Sequence, residues 1–327
     1  MKAIVQSVYG PAETLTLKEI DPPGAPGSGE VLVRVHAAGV DRGVWHMMTG
    51  LPYLIRLGSG LRAPKTRVRG MELAGRVEAV GANVTGLKPG DAVYGVGDGS
   101  FAELVRARAD RLAPMPSNLS FEQAAAVPVS GVTALHAVRD KANVRSGQRV
   151  LVTGAGGGVG SFAVQLAKAL GAEVTGVSGS SKVEFVRSLG ADHVIDRTRE
   201  EFAASGQLYD AIIDTAGRRG LPTLRRALTP KGAIVMVGGE GGGKLTGGFF
   251  GPMLRAGIAR PFTGQRMLPL ISIERSEDLQ ALTRFLETGS VTPAIDRVLP
   301  LAEAADALRR LESGHAQGKV VLKVAEA

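Results

Sequence analysis

Residues 154–160, Gly-Ala-Gly-Gly-Gly-Val-Gly, are the stretch best suited to hold a charged ligand. Val150-Leu151-Val152 before it reads as a buried strand. Val159, Phe162, Ala163, Leu166, Ala167 and Leu170 after it fall on one face of a helix. Gly154, Gly157, Gly158 and Gly160, with Ala155 and Val159, let the backbone turn tightly and approach a pyrophosphate. That anion then rests on the unpaired N–H groups at the helix start. Strand, glycine turn and helix in this order point to a dinucleotide. A ligand-free turn would account for the bend but not for the surplus of glycine.

The cofactor's identity is written where the second strand, Glu173–Val177, ends. Dinucleotide sites place an Asp or Glu there for a ribose 2′-OH, or a cation for a 2′-phosphate. This chain has Val177-Ser178-Gly179-Ser180-Ser181-Lys182, with no carboxylate. NADPH is therefore expected ahead of NADH, unless Lys182 is an ordinary exposed residue on a helix's first turn. Two further loops, Thr215-Ala216-Gly217 and Val237-Gly238-Gly239, follow later strands at the carboxyl ends where ligands bind. His46 either hydrogen-bonds a carbonyl and delivers a proton near neutral pH, or merely lines a cleft. Trp45 and Tyr53 are pocket walls or core filler.

The elements that must position these residues change rhythm along the chain. Through about residue 120, short strands alternate with turn signals, as in a small, mostly β domain. Ala3-Ile4-Val5 and Leu15-Thr16-Leu17 read as a hairpin, Glu30–His36 as a strand, and Trp45–Thr66 as a looser segment walling a cleft. Strands then alternate with helical patterns, the signature of a doubly wound parallel sheet in an α/β fold. Its later strands are Val194–Asp196, Ala211–Asp214, Ala233–Val237 and one near Met267–Ile271. Helices at Glu277–Leu286 and Ala302–Leu311 and a strand at Lys319–Val324 follow. The expected domains are 1–122 with 273–327, and 123–272.

Composition narrows the function classes. The 327 residues are 44% hydrophobic and 21% charged, as in an ordinary globular protein. No apolar run is long enough to span a bilayer, and Met1–Val5 is strand-like rather than a signal peptide, so the expectation is a cytoplasmic protein. A net charge of +8 invites a nucleic-acid reading, but nine Phe, four Tyr and one Trp supply no base-stacking motif. Zero cysteines exclude disulfides, thiolate chemistry and sulfur-ligated zinc. Gly238–Leu245 mimics a P-loop, but Leu245 stands where Mg²⁺ needs Ser or Thr.

Over essentially its full length the chain resembles the medium-chain dehydrogenase/reductase superfamily. The matching motifs are Gly-Glu-Val-Leu-Val-Arg-Val at 29–35, Lys88-Pro89-Gly90-Asp91-Ala92-Val93, Ser130-Gly131-Val132-Thr133-Ala134, the glycine turn and Gly318-Lys319-Val320-Val321. Within it the chain is most similar to the zinc-independent quinone oxidoreductase branch. The resemblance implies a Rossmann domain beside a GroES-like substrate domain, and a homodimer paired through the strand near Met267–Ile271. It implies that Thr133, Asp41, Phe249, Phe250 and Lys319 reach the nicotinamide end, and that Lys182 holds a 2′-phosphate. Arg197 stands where relatives have a tyrosine near the adenine, and His46 where quinone reductases have a tyrosine near the nicotinamide. Zinc alcohol dehydrogenases carry Cys and His where this chain has Asp41 and Met71. The resemblance thus implies metal-free hydride transfer from NADPH to a quinone or an α,β-unsaturated carbonyl, with His46 or solvent as proton donor. The alternatives are a metal-free alcohol/carbonyl dehydrogenase and a non-catalytic NADPH-binding sensor or nucleic-acid binder.

Overall fold

The computed structural model describes residues 1–238, 243–245 and 264–325. The chain runs through β1 (Lys2–Val5), β2 (Thr16–Glu19), β3 (Glu30–Val40), α1 (Arg42–Thr49), α2 (Arg56–Ser59), β4 (Glu72–Val80), β5 (Ala92–Val96), β6 (Leu104–Arg108), β7 (Leu112–Pro114), α3 (Phe121–Ala125) and α4 (Pro128–Leu135). It continues through β8 (Arg149–Thr153), α5 (Gly158–Ala169), β9 (Glu173–Ser178), α6 (Val183–Ser188), β10 (His193–Asp196), β11 (Tyr209–Asp214), α7 (Leu221–Arg226), β12 (Leu228–Met236) and β13 (Arg266–Pro269). The last elements are α8 (Ser276–Glu287), β14 (Ile295–Pro300), α9 (Ala304–Glu312) and β15 (Lys319–Lys323).

These elements form two compact units. The first comprises Met1–Val132, Ile273–Thr288 and Pro293–Ala327. Its sheet has the order β14-β15-β3-β4-β5-β7, with β6 also paired to β3. β3 is the spine, because Val31, Val33 and Val35 alternate into the core while Arg34 points to solvent. Beyond His36 the strand is buried on both faces through Val40. Only small residues fit there: a Cβ on Gly39 would collide with the Ala125 carbonyl and the Glu72 carboxylate. The β1–β2 hairpin forms as read from the sequence, with Ile4 opposite Leu17.

The second unit comprises Thr133–Ser272 and Gly289–Thr292. Its six parallel strands lie in the order β10-β9-β8-β11-β12-β13, the dinucleotide-binding order 3-2-1-4-5-6. Central β8 is buried on both faces, so Val150, Leu151 and Val152 form a continuous apolar run. Phe162, Ala163, Leu166 and Ala167 of α5 are buried, as the periodicity requires. Strand order reverses between β8 and β11, where such sheets open a crevice for ligands.

The division falls at Val132/Thr133, ten residues beyond the 122/123 break in the sequence rhythm. The reason is tertiary: α3 packs on β3, the Ala125 carbonyl lying in the space a Cβ on Gly39 would fill and the Phe121 ring stacking on His36 with centroids 4.3 Å apart. The backbone N–H of Val129 reaches Glu72 of β4 at 2.8 Å. The described residues contain no helix long and apolar enough to cross a membrane.

Phe162 has no exposed surface and anchors α5 in the second unit. Phe162→Ala should cost that unit about 3–5 kcal/mol through the cavity left behind. Urea denaturation followed by far-UV circular dichroism measures it.

Candidate active site

The glycine turn adopts the geometry its sequence demands. Gly154 has φ +64°, open to glycine at little cost, and its carbonyl accepts from the Gly157 N–H at 2.9 Å. A Cβ on Gly160 would collide with the Gly154 carbonyl, so only glycine lets α5 start this close to the strand. Ala155 is fastened to the neighbouring strand by its N–H to the Val177 carbonyl at 3.1 Å. Gly158, Val159 and Gly160 form the first turn of α5, whose N–H groups lack intrahelical acceptors. This concave backbone fits a dinucleotide pyrophosphate, and these residues would hold it.

One cation, Lys182, lies against the turn, and a second, Arg197, lies near Gly179 at the end of β9. Lys182 lays its stem along Gly156, its Cδ 2.8 Å from where a Cβ would stand. The Arg197 guanidinium lies 3.6 Å from the corresponding point on Gly179. Between them Ser178 is buried and Ser181 exposed. The nearby acid, Asp196, accepts from the Ser180 hydroxyl at 2.6 Å and from the Thr198 hydroxyl and N–H at 2.7 and 2.9 Å. These bonds hold its carboxyl below the usual range. The Lys182 amine and Arg197 guanidinium therefore supply the positive charge at the end of β9.

Across the switch point Asp214 organises the floor, a role the sequence reading missed. Its Oδ1 accepts from Thr153 Oγ1 at 2.5 Å and from the Gly217 N–H at 3.1 Å. Thr215 Oγ1 donates to the Thr153 carbonyl at 2.6 Å. Val237 and Gly238 both donate their N–H groups to the Asp214 carbonyl. A Cβ on Gly238 would collide with the Thr215 carbonyl. Thr215, Val237 and Gly238 thus form one platform beside the glycine turn. An Asp closing β11 and a Thr closing β8 are the only sequence traces of this lock. Thr133, on α4, is buried. Phe249, Phe250 and Gly239 lie outside the described residues.

In the first unit, Trp45 and His46 stand on a helix rather than in a loose segment. Asp41 caps α1, its Oδ1 accepting the Val44 N–H at 3.1 Å, and Gly50 ends it in the left-handed region. These two caps were the available signal for the helix. Asp41 is 5% exposed, and its Oδ2 is buried without a partner. An ionised carboxylate oxygen is an acceptor only.

His46 Nδ1 lies 2.6 Å from the Leu51 carbonyl. A carbonyl only accepts, so Nδ1 carries the hydrogen and Nε2 of the neutral ring is an acceptor. Burial lowers the His46 pKa, favouring that neutral ring. At Nε2 the neutral ring accepts, and only the protonated ring donates there. Trp45 meets the His46 ring edge-on at 5.0 Å and lies under Arg42. Tyr53 is exposed and packs on the Arg56 guanidinium at 4.7 Å.

Lys319 is fully enclosed. It is 2% exposed and paired with Glu72, which has no exposed surface. Burial raises the Glu72 pKa, nearby Asp41 adds to the rise, and the Lys319 ammonium opposes it. The Lys319 charge is thus committed inside the sheet rather than presented to a cofactor. Asp41, Met71 and Glu72 stand at the positions nearest a zinc donor set. A thioether is a poor ligand for Zn²⁺, and both Glu72 oxygens are engaged, by Lys319 and the Val129 N–H. These residues do not fit that ion.

Two outcomes follow from this geometry. Glu72→Gln should cost about 3–5 kcal/mol by stranding a buried ammonium, while the double replacement Glu72→Met with Lys319→Met should recover most of it, as read by urea denaturation. For His46, folding lowers the pKa from the usual 6.5. Its contribution to stability is therefore complete above that value and is lost as pH falls toward the folded pKa. A ¹H–¹⁵N spectrum at pH 7 should show the Nδ1–H tautomer; an Nε2–H tautomer would contradict the assignment.

Known proteins share this architecture and these motifs. The family "Alcohol dehydrogenase GroES-like domain" matches residues 27–117, and the family "Zinc-binding dehydrogenase" matches residues 189–322. A quinone oxidoreductase of Pseudomonas aeruginosa is 34% identical, covering 98% of this chain and 99% of its own. A 2-methylene-furan-3-one reductase of Solanum lycopersicum is 32% identical, covering 98% of this chain and 79% of its own. The solved quinone oxidoreductase from Coxiella burnetii superimposes with a TM-score of 0.86 at 29% identity, covering 99% of each chain. With both domain models matched and full-length relatives above 30% identity, the chain belongs to the medium-chain dehydrogenase/reductase superfamily, in its quinone oxidoreductase-like branch.

Proposed function

We propose that the chain transfers a hydride from NADPH to a quinone, or to the β-carbon of an α,β-unsaturated carbonyl, without a metal ion. The observation that carries the cofactor choice is the end of β9, where Lys182 lies against the glycine turn, Arg197 lies near Gly179, and that strand end carries no Asp or Glu for a 2′-OH. The names of the relatives support the acceptor class, since a quinone and a 2-methylene-furan-3-one are both conjugated carbonyls. The bound nicotinamide supplies the hydride. The chain's own work is to position it. The glycine turn and the start of α5 take the pyrophosphate, and Lys182 and Arg197 take the 2′-phosphate. Thr215, Val237 and Gly238 border the nicotinamide end, and Asp41 Oδ2 accepts a donor from the bound ligand. Holding donor and acceptor in register lowers the barrier without a covalent step.

The proton comes from solvent in this reading, because neutral His46 offers a lone pair at Nε2 and can only orient a water or a hydroxyl. Glu72, satisfied by Lys319, supports the metal-free route. The chain acts as a homodimer through β13, the edge strand of the parallel sheet. One observation favours a second reading: the acceptor Nε2 of His46 would also suit removal of an alcohol proton, in a metal-free interconversion of alcohol and saturated carbonyl.

NADPH oxidation against a quinone, an alkenal and a saturated aldehyde, each with and without chelator, separates these readings. Turnover of quinone or alkenal, indifferent to chelator, is expected. Turnover of the aldehyde alone would favour the second reading, and silence throughout a binding role without catalysis. Lys182→Ala should raise KM for NADPH about tenfold or more while leaving NADH nearly unchanged, as loss of a phosphate partner requires.

A further inference from the structure

The stretch 42–71 carries six Lys or Arg residues and no Asp or Glu. One of them, Arg69, is buried and donates to the Met47 carbonyl, but Arg62, Lys65 and Arg67 are exposed. Among these cations stand Leu57 and Leu61, 70% and 68% exposed. An isolated exposed leucine is ordinary on a protein surface. Two such leucines, four residues apart in an acid-free segment, are not.

The segment that presents them is fastened from behind. The Arg56 guanidinium lies over the rings of both Tyr9 and Tyr53, at 4.5 and 4.7 Å, and its Nε donates to the Gly50 carbonyl at 3.0 Å. The Tyr9 hydroxyl donates to the Gly60 carbonyl at 2.7 Å, and the Lys65 N–H to the Ser59 carbonyl at 2.8 Å. Gln6 holds the far end through its N–H to the Arg67 carbonyl at 2.8 Å. The leucines are therefore held outward by a braced scaffold.

We propose that this face docks on an anionic lipid surface. Leu57 and Leu61 enter the boundary of the acyl region while Arg62, Lys65 and Arg67 meet headgroup phosphates. Charge selects this occupant. A second copy related by a twofold axis would set the same cations against each other. A single-stranded nucleic acid would call for stacking rings where the exposed apolar side chains here are chiefly leucine. The proposal stands on the surface alone and does not depend on the reaction catalysed.

Sedimentation of the full chain with vesicles tests it. Partition onto phosphatidylglycerol/phosphatidylcholine vesicles should exceed that onto phosphatidylcholine alone about tenfold and should weaken with salt. The pair Leu57→Ser with Leu61→Ser, and separately Arg62→Gln with Lys65→Gln, should each reduce partition about fivefold or more. Leu208→Ser, at an exposed apolar side chain in the other unit, should leave it unchanged. These substitutions are at exposed positions, and circular dichroism confirms that each variant is folded. Failure of the parent chain to partition, partition untouched by both pairs, or equal loss in the Leu208→Ser variant would each overturn the proposal. So would a leucine pair that abolishes self-association instead, or tighter retention on a single-stranded RNA than on anionic vesicles.

Discussion

A carboxylate and an ammonium shut away from water must find each other, and in this chain Glu72 and Lys319 do so from the two strands that flank β3. They are 247 positions apart, so the pair exists only when the C-terminal strand has returned to the N-terminal sheet. Its place is set by what β3 leaves open. Gly39 has no Cβ, and the Glu72 carboxylate occupies the space one would fill. The second Glu72 oxygen takes the N–H of Val129 in the first turn of α4. One buried charge thus ties together β4, β15 and a helix start, around a strand too crowded to carry larger side chains.

The same end of β3 delivers the chemistry of the first unit. The strand runs from Val40 into Asp41, whose carboxylate caps α1, and α1 carries Trp45 and His46. His46 is oriented by the Leu51 carbonyl just beyond that helix, which leaves its other nitrogen as an acceptor. The carboxylates near this point are held by groups of the chain itself. Glu72 is neutralised from within, and Asp41 spends one oxygen on a helix cap.

The second unit rests on a smaller lock of the same kind. Asp214 and Thr153 close adjacent strands where the sheet order reverses, and their bond aligns the turn at 215–217 with the glycine turn. Burial raises the Asp214 pKa, while the Thr153 hydroxyl and the turn's N–H groups oppose that rise. A buried carboxylate satisfied by its own loop holds the floor of the second unit beside the glycine turn.

The glycine turn and the α5 face were legible in the sequence because strand, turn and helix are written in neighbouring residues. The absent Cβ at Gly154 and Gly160 is itself what lets the backbone turn and the helix close on the strand. The succession of β-rich and alternating segments announced both folds for the same reason. Helix α1 was hidden because Gly43 and Thr49 dilute its apolar face, although Asp41 and Gly50 marked its ends. The bond from the Val129 N–H to Glu72, which helps carry the first unit to Val132, could not be read from either residue alone. Nor could the capture of Lys319 by Glu72, or the tautomer of His46. By itself the sequence determined the local conformations and the α/β class, since propensity, periodicity and turn chemistry act over a few residues. Tertiary structure alone decided which buried charges pair, which oxygens remain unpartnered and which nitrogen of a histidine holds its proton. Those outcomes depend on where distant segments of the chain return.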